Sequence, residues 1–146
     1  MGIEENNKKL VHQFYELYNQ HKLEAAWELM SPEWHSGDFT FEQNKQFDIM
    51  LINAFPDVKA TILDMVAEGD KVAFIVNGKG THTGGPYMGI PPTGKKIDMT
   101  NTWIVRVVDG KIMEHNGTGS FVVSLQQLGV MPTIPEAIRA YNESQK

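Results

Sequence analysis

The sequence predicts an α+β domain, helices first and then a curved meander of long antiparallel strands packed on them. Three observations predict it. Apolar residues in the first third recur at helical spacing. Those in the middle alternate over long runs. An Asp109-Gly110 pair, the strongest short hairpin signal, separates the last two runs.

Leu10, Val11, Phe14, Leu17 and Tyr18 form one stripe of an amphipathic helix over roughly residues 4–20. A short second helix carries Leu23, Ala26, Trp27 and Met30 and stops near Ser31-Pro32. A third begins near Thr40, whose spacing to Gln43 is that of a capping box. Its apolar side holds Phe47, Met50, Leu51 and Ala54. Pro56 ends it, because the residue before a proline avoids the α region.

Strands are expected over 57–67, from Val72 to Asn77 with both faces buried, over 96–108, and from Lys111 onward. Glu68-Gly69-Asp70 turns the first pair, and a Gly- and Pro-rich loop spans Thr83 to Lys95. From Leu125 the tail reads as a short helix, a loop broken by Pro132, and a helix through Ala137–Tyr141. Helices on one side of a strongly curved sheet enclose a cone-shaped hollow, a common ligand site.

A length of 146 residues suits one domain, 1–146, and hydrophobic and charged fractions of 41% and 21% are those of a soluble globule. A formal charge of −5 gives no attraction to nucleic acid or to an anionic membrane. The absence of cysteine removes disulfides and thiolate chemistry. The N-terminus lacks a secretory apolar core, so a cytoplasmic protein is expected. Five scattered histidines without a carboxylate cluster predict no metal site.

Several short signatures stand in order along the chain. They are Phe55-Pro56-Asp57, Glu68-Gly69-Asp70-Lys71-Val72, Gly80-Thr81-His82-Thr83-Gly84, Gly89-Ile90-Pro91-Pro92-Thr93-Gly94-Lys95-Lys96, Arg106 with Asp109-Gly110-Lys111-Ile112, Glu114-His115, and Gln127-Leu128-Gly129. Together, over about residues 8–130, they resemble the SnoaL-like polyketide cyclases within the NTF2-like fold. The resemblance implies a cone-shaped α+β barrel, usually dimeric through its sheet. It also implies ring closure by intramolecular aldol condensation with no metal or organic cofactor, an Asp serving as acid and base. The pattern departs on the last strand, where Asn116 stands in place of a Trp and Ser120 in place of the catalytic Asp. A serine hydroxyl without an activator is not a useful base at neutral pH.

The candidate catalytic residues are therefore His82, Glu114 and Ser120. A neutral imidazole can polarise a carbonyl or carry a proton, and Glu114 is the only carboxylate on its strand, though an ion pair with Arg106 is the plainer role for it. The candidate ligand-binding residues are His35 and Asp38, in the loop between the second and third helices, with Asn101, Trp103 and Asn116. By period two, Asn101 and Trp103 share a face with Ile97, Met99 and Val105, and an amide among apolar neighbours suits a ligand carbonyl. Glu114, Asn116, Thr118 and Ser120 share one face of the last strand, His115, Gly117 and Gly119 the other. The expected ligand is a small apolar or aromatic carbonyl compound, either turned over or only held.

Overall fold

In the computed structural model, which describes residues 2–119 and 121–146, the N-terminal stripe becomes helix α1, Ile3–Asn19, burying Val11, Phe14 and Tyr18. Helix α2, Leu23–Trp27, buries Ala26 and Trp27. Helix α3, Phe41–Ala54, starts with the expected capping box. The Thr40 hydroxyl accepts from the Gln43 N–H at 3.3 Å, and the Gln43 side chain accepts from the Thr40 N–H at 2.9 Å.

Strands β1 (Met30–Ser36), β2 (Phe39–Thr40), β3 (Lys59–Glu68), β4 (Lys71–Thr81), β5 (Lys96–Val108) and β6 (Lys111–Thr118) form one curved sheet in the order β2-β1-β6-β5-β4-β3. The antiparallel meander β3–β6 is the one the alternation predicts. The sheet as a whole is mixed, because β1 pairs with β6 in parallel. The segment Met30–Ser36, expected to be the end of a helix and a loop, is a strand. Pro32 and a register break between Met30 and His35 erase the two-residue period that would have revealed it. Asp109 and Gly110 both have positive φ, the geometry of a two-residue hairpin turn.

Helix α4, Phe121–Gln127, begins four residues before the expected Leu125, since Phe121-Val122-Val123 reads locally as strand. Helix α5, Ile134–Ser144, has its own capping box at Thr133 and Glu136 and no buried residue.

On β4, Val72, Phe74 and Val76 are buried against the helices, while Ala73 and Ile75 are only half-buried on the outer face. Three polar clamps fix the helices and loops to strand ends. The Asn19 amide both accepts from Ala60 N–H and donates to Ala60 C=O at 2.8 Å, closing the free edge of β3. Gln127 does the same to Asp98 of β5, at 2.8 and 2.9 Å. The Asp57 carboxylate accepts from the Thr81 N–H at 2.6 Å and the Thr81 hydroxyl at 2.8 Å, which holds it below the usual carboxylate range. No helix among the described residues is long and apolar enough to cross a membrane.

Candidate active site

The inner wall of the sheet is built by register. Phe74 pairs with Trp103, Val76 with Asn101 and Val72 with Val105 across β4 and β5. Val105 then pairs with His115, and Trp103 with Gly117, across β5 and β6. All therefore share the face turned to the helices. Along β5 that face is buried at Ile97 and Val105 and half-exposed between them at Met99, Asn101 and Trp103. Side chains sealed at both ends and accessible in the middle are those expected around a hollow.

His115 is the centre of this wall. Its ring lies 5.0 Å from Trp103, 5.9 Å from Trp34 and 6.2 Å from Phe74, all edge-on. Desolvation by these rings pushes its pKa down to about 4, so the imidazole is neutral at pH 7. Trp34, on β1, is 4% exposed, and its indole N–H has no hydrogen-bond partner among the described residues. A buried donor left unmade costs about 1–3 kcal/mol.

The helices supply the opposite wall. Asp48 of α3 is 7% exposed. Its Oδ2 accepts from Trp27 Nε1 at 2.8 Å and from Asn44 Nδ2 at 3.0 Å. Burial outweighs these two bonds and pushes its pKa up to about 7. Tyr15 and Tyr18 of α1 sit within its field, and burial together with that carboxylate holds both phenols well above their usual range. Tyr15 packs edge-on against Phe74 at 5.7 Å, which joins the helical wall to the sheet wall.

The residues singled out from the sequence divide between these surfaces and others. Asn101 and Trp103 lie on the inner wall. Glu114 and Asn116 face outward, because Met113 is an extra residue in β6 and Glu114 pairs with outward-facing Arg106. Arg106 Nη2 donates to Glu114 Oε1 at 2.7 Å, with His35 Nε2 3.7 Å from the same oxygen; Arg106 is the larger cause of the low Glu114 pKa. Trp34, His35, Asp38 and Phe41 line an open depression of about 430 Å³ beside β2. Ser120 lies outside the described residues.

His82 is fully buried and serves the loop that follows it. Its Nδ1 accepts from the Thr93 N–H at 3.3 Å and its Nε2–H donates to the Gly85 C=O at 3.1 Å. The ring rests on Phe55 at 5.1 Å. Both nitrogens are engaged in closing residues 83–95, and neither is offered to a ligand. Glu114 thus faces outward and His82 is enclosed, while His115 lies on the inner wall and Asp48 is buried among the helices.

Sequence reasoning passed over Asp48, Tyr15, Trp34 and His115. A signal existed for Asp48, a carboxylate set within the apolar stripe of Phe47, Met50 and Leu51. Among the described residues, no three His, Asp or Glu side chains gather as metal ligands would.

Solved structures share this architecture. AclR of Streptomyces galilaeus, provisionally described as a hydroxylase, superposes with a TM-score of 0.77 at 27% identity, over 86% of this chain and 97% of that one. IdmH of Streptomyces antibioticus, provisionally described as a polyketide cyclase, gives a TM-score of 0.69 at 33% identity, over 85% of this chain and 99% of that one. A SnoaL-like polyketide cyclase of Jannaschia sp. CCS1, likewise provisional in its activity, gives 0.78 at 23% identity, over 90% and 97%. No curated protein matches the chain. Residues 8–128, from the first helical stripe through Leu128, match the SnoaL-like polyketide cyclase family, and the chain belongs to that family.

Proposed function

We propose that the chain binds a small, mostly apolar carbonyl compound between the β4–β6 wall and helices α1 and α3, and turns it over by proton transfer in an aldol-type cyclisation, cleavage or isomerisation. The observation that carries this reading is the buried Trp34 N–H, unpartnered among the described residues, beside a neutral imidazole and the half-exposed Trp103. A ligand carbonyl would satisfy that donor, and Phe74 and Trp103 would flank an aromatic skeleton. The described residues of this wall carry no charged group, which suits an uncharged ligand. Membership of the cyclase family supports the reaction type. A second copy of the chain is assigned to the outer sheet face, where Val66 and Ile104 stand 65% and 45% exposed.

A second reading, a binding protein without turnover, rests on the resemblance, by which Ser120 stands where the family's acid is expected. The two separate experimentally. 2-Acetylnaphthalene, an apolar aryl ketone, should quench tryptophan fluorescence saturably, and Trp103→Leu should weaken that binding about tenfold. Absence of saturable quenching would refute the pocket. Saturable binding with no cleavage of an aromatic β-hydroxyketone would favour the binder.

A further inference from the structure

We propose that Asp48 is the catalytic acid and base of this chain, working from the helical wall of the interior and not from the end of the last strand. The proposal rests on the pocket reading above and adds to it the group that moves the proton. Four observations converge. The carboxylate is buried where α1, α2 and α3 meet, one aromatic step from the inner wall through Tyr15 and Phe74. Both donors that hold it, Trp27 and Asn44, bond Oδ2, so Oδ1 receives no hydrogen bond from the described residues. No cation lies within ion-pair distance of it among those residues. Lys45 Nζ, on the same helix, lies 3.8 Å from Glu42 Oε2 and over the Phe41 and Trp27 rings at 4.5 and 5.6 Å.

An acid–base group needs this arrangement. A carboxylate neutralised by an ion pair is the weakest base, a freely solvated one is stronger, and a desolvated, unpaired one is stronger again. Asp48 is held in one orientation by two neutral donors, with one oxygen left over. The groups that face it are Tyr15 and Tyr18 from α1, Trp27 from α2, and Asn44 and Lys45 from its own helix. The His115 imidazole on the sheet wall is neutral. Burial has brought Asp48 close to neutrality in its titration, where one carboxyl can both take and return a proton at physiological pH.

The step balances without a co-reactant. Asp48 Oδ1 takes a proton from the carbon beside a ligand carbonyl. The C–H pair becomes the enolate double bond, and the carbonyl pair moves onto oxygen, where a neutral donor such as the Trp34 N–H can hold it. The enolate carbon forms a bond to a second carbonyl carbon of the same ligand. The new alkoxide then takes the proton back from Asp48. No electron is gained or lost overall.

The test uses 5-nitrobenzisoxazole, an apolar probe that a base opens by removing its ring C–H proton as its N–O bond breaks, releasing a coloured cyanonitrophenolate. The parent chain should open it with a rate that rises with pH through about 7, the carboxylate being the active form. Asp48→Asn should lower kcat about a hundredfold while leaving the probe's binding, read by tryptophan quenching, within about threefold. Asn44→Ala, a milder change on a helix surface, removes one bond to the ionised form and should move the midpoint of the rate profile upward. A purely structural Asp48 would not move that midpoint. Probe that binds but is opened equally by Asp48→Asn overturns this proposal and leaves the pocket standing. Probe that does not bind overturns both. An unmoved midpoint in a folded Asn44→Ala also overturns it.

Discussion

Glu114 and His115 are neighbours in the chain that β6 sends to opposite faces of the sheet, Glu114 outward onto Arg106 at 2.7 Å and His115 inward onto Trp103 at 5.0 Å. The extra residue at Met113 sets this parity. It decides which of the two can meet a ligand. Glu114→Gln is expected to leave the affinity for 2-acetylnaphthalene unchanged within about twofold, because this half-buried ion pair lies on the outer face, across the sheet from the aromatic wall. A tenfold loss in a fluorescence titration would place the ligand on the outer face instead.

Asp48 and His115 titrate with opposite consequences for stability. The Asp48 carboxyl is raised from 3.8 to about 7 in the fold, so the native state holds a proton that the unfolded chain has released. Its contribution is full below about pH 4 and is lost as pH rises through 7. The His115 pKa is lowered from 6.5 to about 4, so there the unfolded chain holds the extra proton. That contribution is full above about pH 6.5 and is lost as pH falls through 4. Between about pH 4.5 and 6.5 the two slopes cancel. Asp48→Asn should therefore become less stable toward acid in that window, and His115→Leu less stable toward neutrality, each relative to the parent. At about pH 8, Asp48→Asn should exceed the parent by on the order of 2–4 kcal/mol. Thermal melts across pH check all three. A variant pair whose slopes match the parent would show that neither group is desolvated as the fold implies.

Most of the fold was legible because it is written in local periods. The stripe of Leu10 to Tyr18, the capping box at Thr40 and the Asp109-Gly110 turn each need only their own few residues. Strand β1 was not, because its place is set by main-chain pairing to β6, far along the chain, while Pro32 breaks its pattern. The site was less legible for a related reason. The conspicuous signatures turn out to be clamps. Asp57 ties to Thr81, His82 to Gly85 and Thr93, and Gln127 to Asp98. The remaining groups sit in unremarkable contexts, and only the meeting of three helices and four strands gives Asp48 and His115 their chemistry.

His82 offers a direct check of that distinction. Its ring fills a fully buried site between Phe55 and Tyr87 and bridges the two ends of the 83–95 loop. His82→Ala should cost about 2–4 kcal/mol in urea unfolding, through the lost packing and two unmade bonds. Amide exchange should quicken first at Gly85 and Thr93. Where the variant remains folded, the pH midpoint of probe opening should stay where the parent has it. A shifted midpoint with unchanged stability would return His82 to the reacting groups.

Gly117 is where the seat of Trp103 is set. A Cβ there would lie 2.2 Å from the Thr102 carbonyl oxygen and 2.9 Å from Trp103 Cε3. The first of these atoms is main chain within the β5–β6 ladder, so it cannot swing aside, and relief requires the strands to part or the indole to move. Gly119 differs, since its Cβ would meet only Trp103 ring carbons at 3.3 and 3.4 Å. Gly117→Ala is thus expected to cost about 1–3 kcal/mol and to weaken 2-acetylnaphthalene binding along with it, while Gly119→Ala changes either by much less. Equal tolerance of both substitutions, in melts and in titrations, would mean that the inner wall does not depend on the close approach of β6 to Trp103.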